Sequence, residues 1–145
     1  MMRNLIFLTL LVTSGIMAED MNCRLRCGYA CCDPMSESLD SPFRRIGNTI
    51  YLSGVPGGSI ERADPQSEVK EALDNLKAAV SKTGGTMNDV VKITVYMVDA
   101  TNDYDALNEL TPLYFSKPYP ARSPVGVSAL PGGKRVEIDA VIKAL

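Results

Sequence analysis

The chain has 145 residues, the length of one ordinary domain, and 46% of them are hydrophobic, which is enough to form a packed core. Its 15 basic and 17 acidic residues nearly cancel, and no basic patch stands out, so charge gives no support to a nucleic-acid partner. The absence of histidine excludes Ser-His-Asp and Cys-His catalytic sites and most zinc sites, and leaves carboxylates, lysine, tyrosine, a chain terminus or water as the general acid or base.

Residues 1–18 have the order of a secretory signal peptide. Arg3 precedes an apolar run from Leu5 to Val12, and the small residue Ala18 stands before an acidic pair. The run is short for a bilayer span, so a transmembrane helix is the weaker interpretation and no stable membrane insertion is expected. Cleavage after Ala18 is expected, while an uncleaved leader or a start at a later methionine stays open.

A leader or linker of residues 19–40 follows, and it carries all four cysteines, Cys23, Cys27, Cys31 and Cys32. After an exported leader, an even number of clustered cysteines favours two disulfides, for which three pairings are possible. A metal site is weaker because the spacing matches no common zinc pattern, and thiols without a function are the other alternative. No cysteine follows, so no thiol in the rest of the chain can be a nucleophile.

Residues 41–145 are expected to form the folded domain. A Gly-Asn turn signal precedes a predicted strand from Thr49 to Gly54. In the next segment the larger apolar residues recur at helical period until a Gly-Gly pair stops the pattern, which predicts one helix. These residues are Val69, Leu73, Leu76 and Val80.

The second half of the domain is also predicted to alternate between strands and helices. A β-branched run predicts a buried strand over Val90–Val98. A second helix is expected to follow, capped by Asn102 or Asp103, and Pro112 is expected to kink it or end it early. Residues 121–130 predict a strand whose proline indicates a sheet edge or a bulge.

The last predicted strand covers residues 134–145 and follows a turn at Pro131–Gly133. The order strand, helix, strand, helix, strand, strand predicts an α+β domain with a mixed sheet packed against two helices. The turn predicts that the last two strands form an antiparallel hairpin. Arg122 and Glu137 would then come from neighbouring strands, either within one subunit or across an interface.

Arg122 has two interpretations. From the residues alone, a structural ion pair with Glu137 or Asp139 is favoured. In the functional interpretation, the planar guanidinium binds a substrate carboxylate, and Glu137 is free to orient a water molecule or to move a proton.

The segment YPARSPVGVSALPGGKRVEIDAV resembles the signature of the RidA/YjgF family, in which Pro-Ala-Arg and a small residue precede a hydrophobic stretch and a late glutamate between aliphatic residues. IYLSGVP, the long helix with its following strand, and NDYDALNELTPLYF resemble further motifs of that family in the same order. The resemblance covers residues 41–142 and does not extend to the first 40 residues.

This resemblance implies a chorismate-mutase-like fold assembled as a homotrimer, with three sites in the clefts between subunits. It also implies hydrolysis of reactive enamines and imines, 2-iminobutanoate and 2-iminopropanoate among them, to 2-keto acids and ammonia. No cofactor and no metal are expected, and the partner is a small 2-imino acid and not a nucleic acid.

The resemblance also implies roles for four residues. Arg122 matches the arginine that binds the substrate carboxylate, and Glu137 matches the glutamate that positions or activates the attacking water. Ser53 matches a serine that lines the pocket, although a hydroxyl at the end of a strand is also ordinary. Asn108 matches an asparagine that we expect to support the cleft and not to react.

Two residues depart from the family pattern. Phe43 stands where relatives commonly have tyrosine, so a pocket wall is kept while a hydroxyl is lost. Pro124 stands where many relatives have cysteine, and proline has neither a thiol nor a main-chain N–H. Both changes are expected to alter the substrate or the rate.

A second function stays open, namely a non-catalytic ligand-binding or regulatory protein on the same trimer. RNA cleavage and translation inhibition, which have been linked to the family, gain little support from a neutral domain without histidine. The sequence gives two conflicting indications of cellular location. The leader indicates the secretory pathway or the cell exterior, whereas the family is typical of the cytosol or mitochondrion.

Overall fold

A computed structural model of the chain describes residues 39–57 and 64–144, so the predicted signal peptide and the four cysteines lie outside the described residues. Besides two short 3-10 helices, two α-helices and five strands are seen. They are β1 (Phe43–Ile46), β2 (Thr49–Gly57), α1 (Pro65–Lys82), β3 (Val90–Met97), α2 (Ala100–Tyr114), β4 (Ala121–Gly126) and β5 (Val136–Lys143). Neither helix of this part of the chain is long and apolar enough to cross a membrane.

The five strands form one mixed sheet in the order β1-β2-β5-β3-β4. All neighbours are antiparallel except β3 and β4, which are parallel. In β5 the alternate residues Val136, Ile138, Ala140 and Ile142 are buried, because they share one hydrophobic core with the buried residues of both helices. The predicted α+β class with a mixed sheet and two helices is confirmed.

The predicted hairpin of the last two strands is wrong. β5 lies between β2 and β3, while β4 pairs with β3 at the edge of the sheet. The chain of β3, α2 and β4 is a crossover unit, since parallel neighbours need a long connection that a helix provides. The Pro131–Gly133 segment does turn, with positive φ at Gly132 and Gly133, but it directs β5 into the centre of the sheet.

Strand β1 was not predicted. It forms a hairpin with β2 around Gly47 and Asn48, and Gly47 has a φ of 57° that suits glycine in so tight a turn. The Gly-Asn signal of this turn is present in the sequence. The strand itself has no clear alternation, since Arg44, Arg45 and Ile46 are all exposed at the edge of the sheet.

Helix α1 confirms the predicted period. Asp64 is its N-cap, and the Asp64 carboxylate accepts a hydrogen bond from the main-chain N–H of Gln66. The apolar residues that the helical period predicts to face the core are completely buried. Burial of each side chain contributes about 1.5–3 kcal/mol to the free energy of unfolding, relative to an exposed position. They are Val69, Leu73, Leu76 and Val80.

Helix α2 begins earlier than predicted. Its N-cap is Asp99, whose carboxylate accepts from the main-chain N–H of Asn102, so neither Asn102 nor Asp103 is the cap. Asp103 is instead buried inside the first turn. Pro112 lies inside the last turn, and the helix continues through it to Tyr114, so it does not end at the proline.

Candidate functional site

Arg122 lies on the helix-facing side of the sheet. In the parallel pair of β4 and β3 it is the partner of Ile93, a completely buried core residue. Its Nη2 donates to Oδ1 of Asn108 at 2.6 Å, and its Nη1 donates to Oγ1 of Thr111 at 3.2 Å. Because Asn108 and Thr111 are three residues apart on α2, one face of the helix holds the guanidinium in place.

All recorded contacts of Arg122 are with neutral groups. Besides the amide and the hydroxyl, its guanidinium carbon is 5.7 Å from the ring centroid of Tyr104. Among the described residues no carboxylate pairs with Arg122, so the ion pair with Glu137 or Asp139 does not form within one chain. The positive charge is therefore available to an external anion.

A cavity of about 240 Å³ opens beside this arginine. Thr111, Arg122, Tyr119 and Pro120 belong to its walls. Ligand pockets for drug-sized molecules have volumes of about 300–1,000 Å³, so this smaller space suits a compact acid. The cavity thus combines a small volume with one uncompensated cation.

Glu137 lies on the opposite side of the sheet. Its neighbours on β5, Val136 and Ile138, are completely buried under the helices, so Glu137 points away from them. Its side chain is partly buried, and no described residue donates a hydrogen bond to it. Such a carboxylate is free to accept a hydrogen bond from water.

A bulge in β2 makes room for the Glu137 carboxylate. The register of β2 with β5 shifts by one residue between Leu52 and Val55, so Ser53 and Gly54 together stand opposite the single residue Asp139. A Cβ atom built on Gly54 would lie 2.7 Å from Cδ of Glu137, which is too close for any side chain at this position. Glycine at residue 54 is therefore required for the observed position of the Glu137 carboxylate.

The other polar groups near Glu137 are already engaged. The Tyr96 hydroxyl donates to Oδ2 of Asp139 at 3.1 Å, and Tyr96 is the cross-strand partner of Glu137. The negative charge of Asp139, its hydrogen bond, burial and the charge of Glu137 raise the pKa of Tyr96 above its usual range. The phenol therefore stays protonated and neutral at physiological pH.

Three further residues expected at the site have the following positions. Ser53 donates through Oγ to the carbonyl of Ser41 at 2.6 Å, so its hydroxyl ties down the chain before β1. Phe43 pairs with Leu52 and packs against the core. Pro124 is exposed on β4, two residues beyond Arg122, where an edge strand tolerates proline.

The expected site residues thus form two groups that one chain does not bring together. Arg122 and Asn108 belong to β4 and α2 on the helix side, and Pro124 lies on the same strand. Glu137 and the bulge at Ser53 belong to the open side of the sheet. The expectation that Arg122 and Glu137 lie on neighbouring strands is wrong, because β3 lies between β4 and β5.

Three contributing residues were not identified from the sequence. Thr111 follows Asn108 by three residues on a predicted helix, so the spacing could have indicated it. The same helical spacing places Tyr104 one turn before Asn108. Gly54 could not have been recognised, because its role depends on a bulge and on the side chain of another strand.

Comparisons with known proteins agree with this architecture. Residues 39–144 match the sequence model of a family described as Endoribonuclease L-PSP. The chain is 38% identical over 117 residues to the 2-iminobutanoate/2-iminopropanoate deaminase of Dermatophagoides farinae, and the match covers 75% of this chain and 91% of the relative. It is 40% identical over 108 residues to the protein of that name from Mus musculus, with 67% and 75% covered. The crystal structure of RidA from the Antarctic bacterium Psychrobacter sp. has a TM-score of 0.65 at 37% identity, with 76% and 92% covered.

Proposed function

Because this chain belongs to the RidA/YjgF family, we propose that it is a cofactor-independent hydrolase that converts reactive 2-imino acids to 2-keto acids and ammonia. The substrates are small, as 2-iminobutanoate and 2-iminopropanoate are. The observation that carries the proposal is Arg122, an arginine in a small cavity whose recorded contacts are all neutral.

Arg122 binds the carboxylate of the imino acid. Its two recorded hydrogen bonds use two of the five N–H donors of a guanidinium, which leaves three for a substrate. A carboxylate that accepts two parallel N–H hydrogen bonds is attracted by the positive charge and is also fixed in one orientation. Asn108 and Thr111 act as positioning residues, because they restrict the rotation of the guanidinium before the substrate arrives.

Glu137 activates the attacking water. It takes a proton as the water oxygen bonds to the imine carbon, and the C=N double bond becomes a single bond. The proton then passes from Glu137 to the nitrogen. In the resulting carbinolamine, Glu137 carries the hydroxyl proton to the amino group as the C–N bond breaks, so the nitrogen leaves as ammonia and the 2-keto acid remains. The chemistry needs no redox step and no external group besides water.

A second copy of the chain is needed to complete this site. Arg122 and Glu137 lie on opposite sides of one sheet, so they can act on one substrate only if Glu137 comes from a neighbouring subunit. This arrangement supports a homotrimer with three sites between subunits. A closed ring of identical interfaces gives each subunit one neighbour on either side.

The two departures from the family pattern affect the proposed contacts with the substrate. Phe43 offers no hydroxyl and Pro124 no main-chain N–H, so each removes a possible hydrogen bond to the substrate. We expect these changes to act on substrate preference and rate, with Arg122 still providing the main contact.

The test is the rate of keto-acid formation from imino acid generated in situ. We expect the purified protein to accelerate this formation above the spontaneous rate, and Arg122→Ala to lower kcat/KM about 100-fold, since loss of a charged hydrogen-bonded partner costs about 2–5 kcal/mol. Arg45→Ala, at the far edge of the sheet, is the control and should retain the wild-type rate. Saturable binding of 2-keto acids without turnover would instead support a non-catalytic binding protein.

A further inference from the structure

A second cation, Lys117, lies beside the cavity of Arg122. Its Nζ is 6.0 Å from the ring centroid of Tyr119, and Tyr119 is part of the wall of that cavity. Lys117 lines a neighbouring cavity of about 240 Å³, and Pro120 belongs to the walls of both. The two cations therefore border adjoining spaces that share one proline.

Neither cation is neutralised by a carboxylate in the part of the chain that the structure describes. Lys117 contacts the ring of Tyr119, and Arg122 contacts an amide, a hydroxyl and a ring. Two like charges beside one cleft repel each other, and an anion near either of them is stabilised. An occupant with two negative groups satisfies both cations at once.

We propose that the cleft accepts 2-imino dicarboxylates, with the carboxylate next to the imine on Arg122 and the side-chain carboxylate on Lys117. This inference rests on the proposed function and extends it to a class of substrates. The class comprises the imines formed when the C–N bond of an acidic amino acid is oxidised by two electrons. Hydrolysis then proceeds at the imine carbon as for a monocarboxylic substrate.

The two cations suit the two ends of such a substrate. The rigid, planar guanidinium of Arg122 orients the carboxylate beside the reacting carbon. Lys117 has a compact charge on a flexible four-carbon stem, so it can follow a carboxylate on spacers of different length. Lys117 thus acts as a specificity residue, and it touches neither the imine carbon nor the attacking water.

The experiment compares two imines of similar size that differ in charge. The imines of glutamate and of leucine are generated in situ by flavin amino-acid oxidases with catalase present, and keto-acid release above the spontaneous rate gives kcat/KM. We expect wild type to prefer the dicarboxylic imine and Lys117→Met to lower the ratio of the two kcat/KM values about tenfold. Lys77→Met, an exposed lysine on α1, is the matched control and should leave the ratio unchanged.

The dependence of this ratio on ionic strength is a second readout, and a loss of packing would not change it. The wild-type ratio should fall as salt rises, because Lys117 is exposed and its attraction for an anion is screened, whereas the Lys117→Met ratio should stay constant. The inference is overturned if Lys117→Met has the same ratio of kcat/KM values as wild type, whether both values are unchanged or both fall equally. That result would not contradict the proposed function. No turnover of either imine by wild type overturns both.

Discussion

At the scale of single residues, the surroundings of two charged groups decide what each can do. Arg122 is held by an amide and a hydroxyl and not by an acid, so its charge is positioned without being neutralised. Glu137 lies against Gly54 and receives no hydrogen bond from the described residues. In both places the described residues provide no oppositely charged partner, so the group is available to a substrate or to water.

Gly54 should be sensitive to the smallest possible substitution. In Gly54→Ala the new Cβ would collide with the Glu137 carboxylate, which must then move away from its observed position. Because the displaced group is the end of a flexible side chain, we expect little loss of stability. We expect kcat for imine hydrolysis to fall at least about tenfold, since small misplacements of a catalytic group have large effects on rate.

Gly85→Ala is the control for this substitution, because a Cβ at residue 85 meets its nearest neighbour at 3.4 Å and no positive φ opposes it. Its melting temperature and kcat should both stay close to wild type. A Gly54→Ala variant with wild-type kcat would contradict the assigned position of Glu137 in the reaction.

At the scale of the elements, a buried charge cluster joins both helices to the start of β5. Nε of Arg135 is 2.9 Å from Glu68 on α1, and Nη2 is 2.9 Å from Asp103 on α2. A third contact of 3.3 Å reaches Asp99, the N-cap of α2. The hydrogen bond with Asp103 chiefly raises the pKa of Arg135 above its usual value, so this side chain stays charged.

Removal of Arg135 should therefore destabilise the whole domain. In Arg135→Met, Glu68 and Asp103 are completely buried and lose the cation that compensates them. We expect the free energy of unfolding to fall by about 3–5 kcal/mol, as measured by urea denaturation. The control Lys134→Met removes the neighbouring cation and should change the free energy of unfolding by less than about 0.5 kcal/mol.

The origin of this loss can be separated from the loss of packing. Arg135→Met combined with Asp103→Asn removes one of the buried negative charges as well, and we expect it to be more stable than Arg135→Met alone. Equal stability of the two variants would mean that the charge cluster is not what holds α1, α2 and β5 together.

At the scale of the whole molecule, the fold places the two residues of the proposed reaction on opposite sides of the sheet. β4 presents Arg122 to the helix side at one edge, while β5 in the middle of the sheet presents Glu137 to the open side. The proposed site therefore depends on assembly, and in the proposed trimer each chain provides Arg122 to one site and Glu137 to another.

Mixed assemblies test this division directly. Arg122→Ala and Glu137→Gln should each be inactive alone. If the two chains are refolded together at equal concentration, about one quarter of the sites in random trimers combine an intact Arg122 with an intact Glu137 from the neighbour. We expect about that fraction of wild-type activity, measured as keto-acid release. A mixture that forms mixed trimers but stays inactive would show that both residues act from one chain.

Much of the candidate site could be predicted from the sequence. The resemblance points to Arg122, Glu137 and Asn108, and the structure places Asn108 in a hydrogen bond with Arg122. Thr111 could have been found by helical spacing. Gly54 could not, because its closeness to Glu137 results from a bulge that brings two strands into contact.

The sequence by itself determined α1, β3, β5 and the class of the fold, because periodicity and β-branched runs express local preferences and burial. Only the tertiary structure decided the order of the strands. A turn signal at Pro131–Gly133 specifies that the chain bends, but the partner of each strand depends on which distant surfaces bury the most apolar area. That non-local choice inserted β5 between β2 and β3, and so placed β3 between the strands of Arg122 and Glu137.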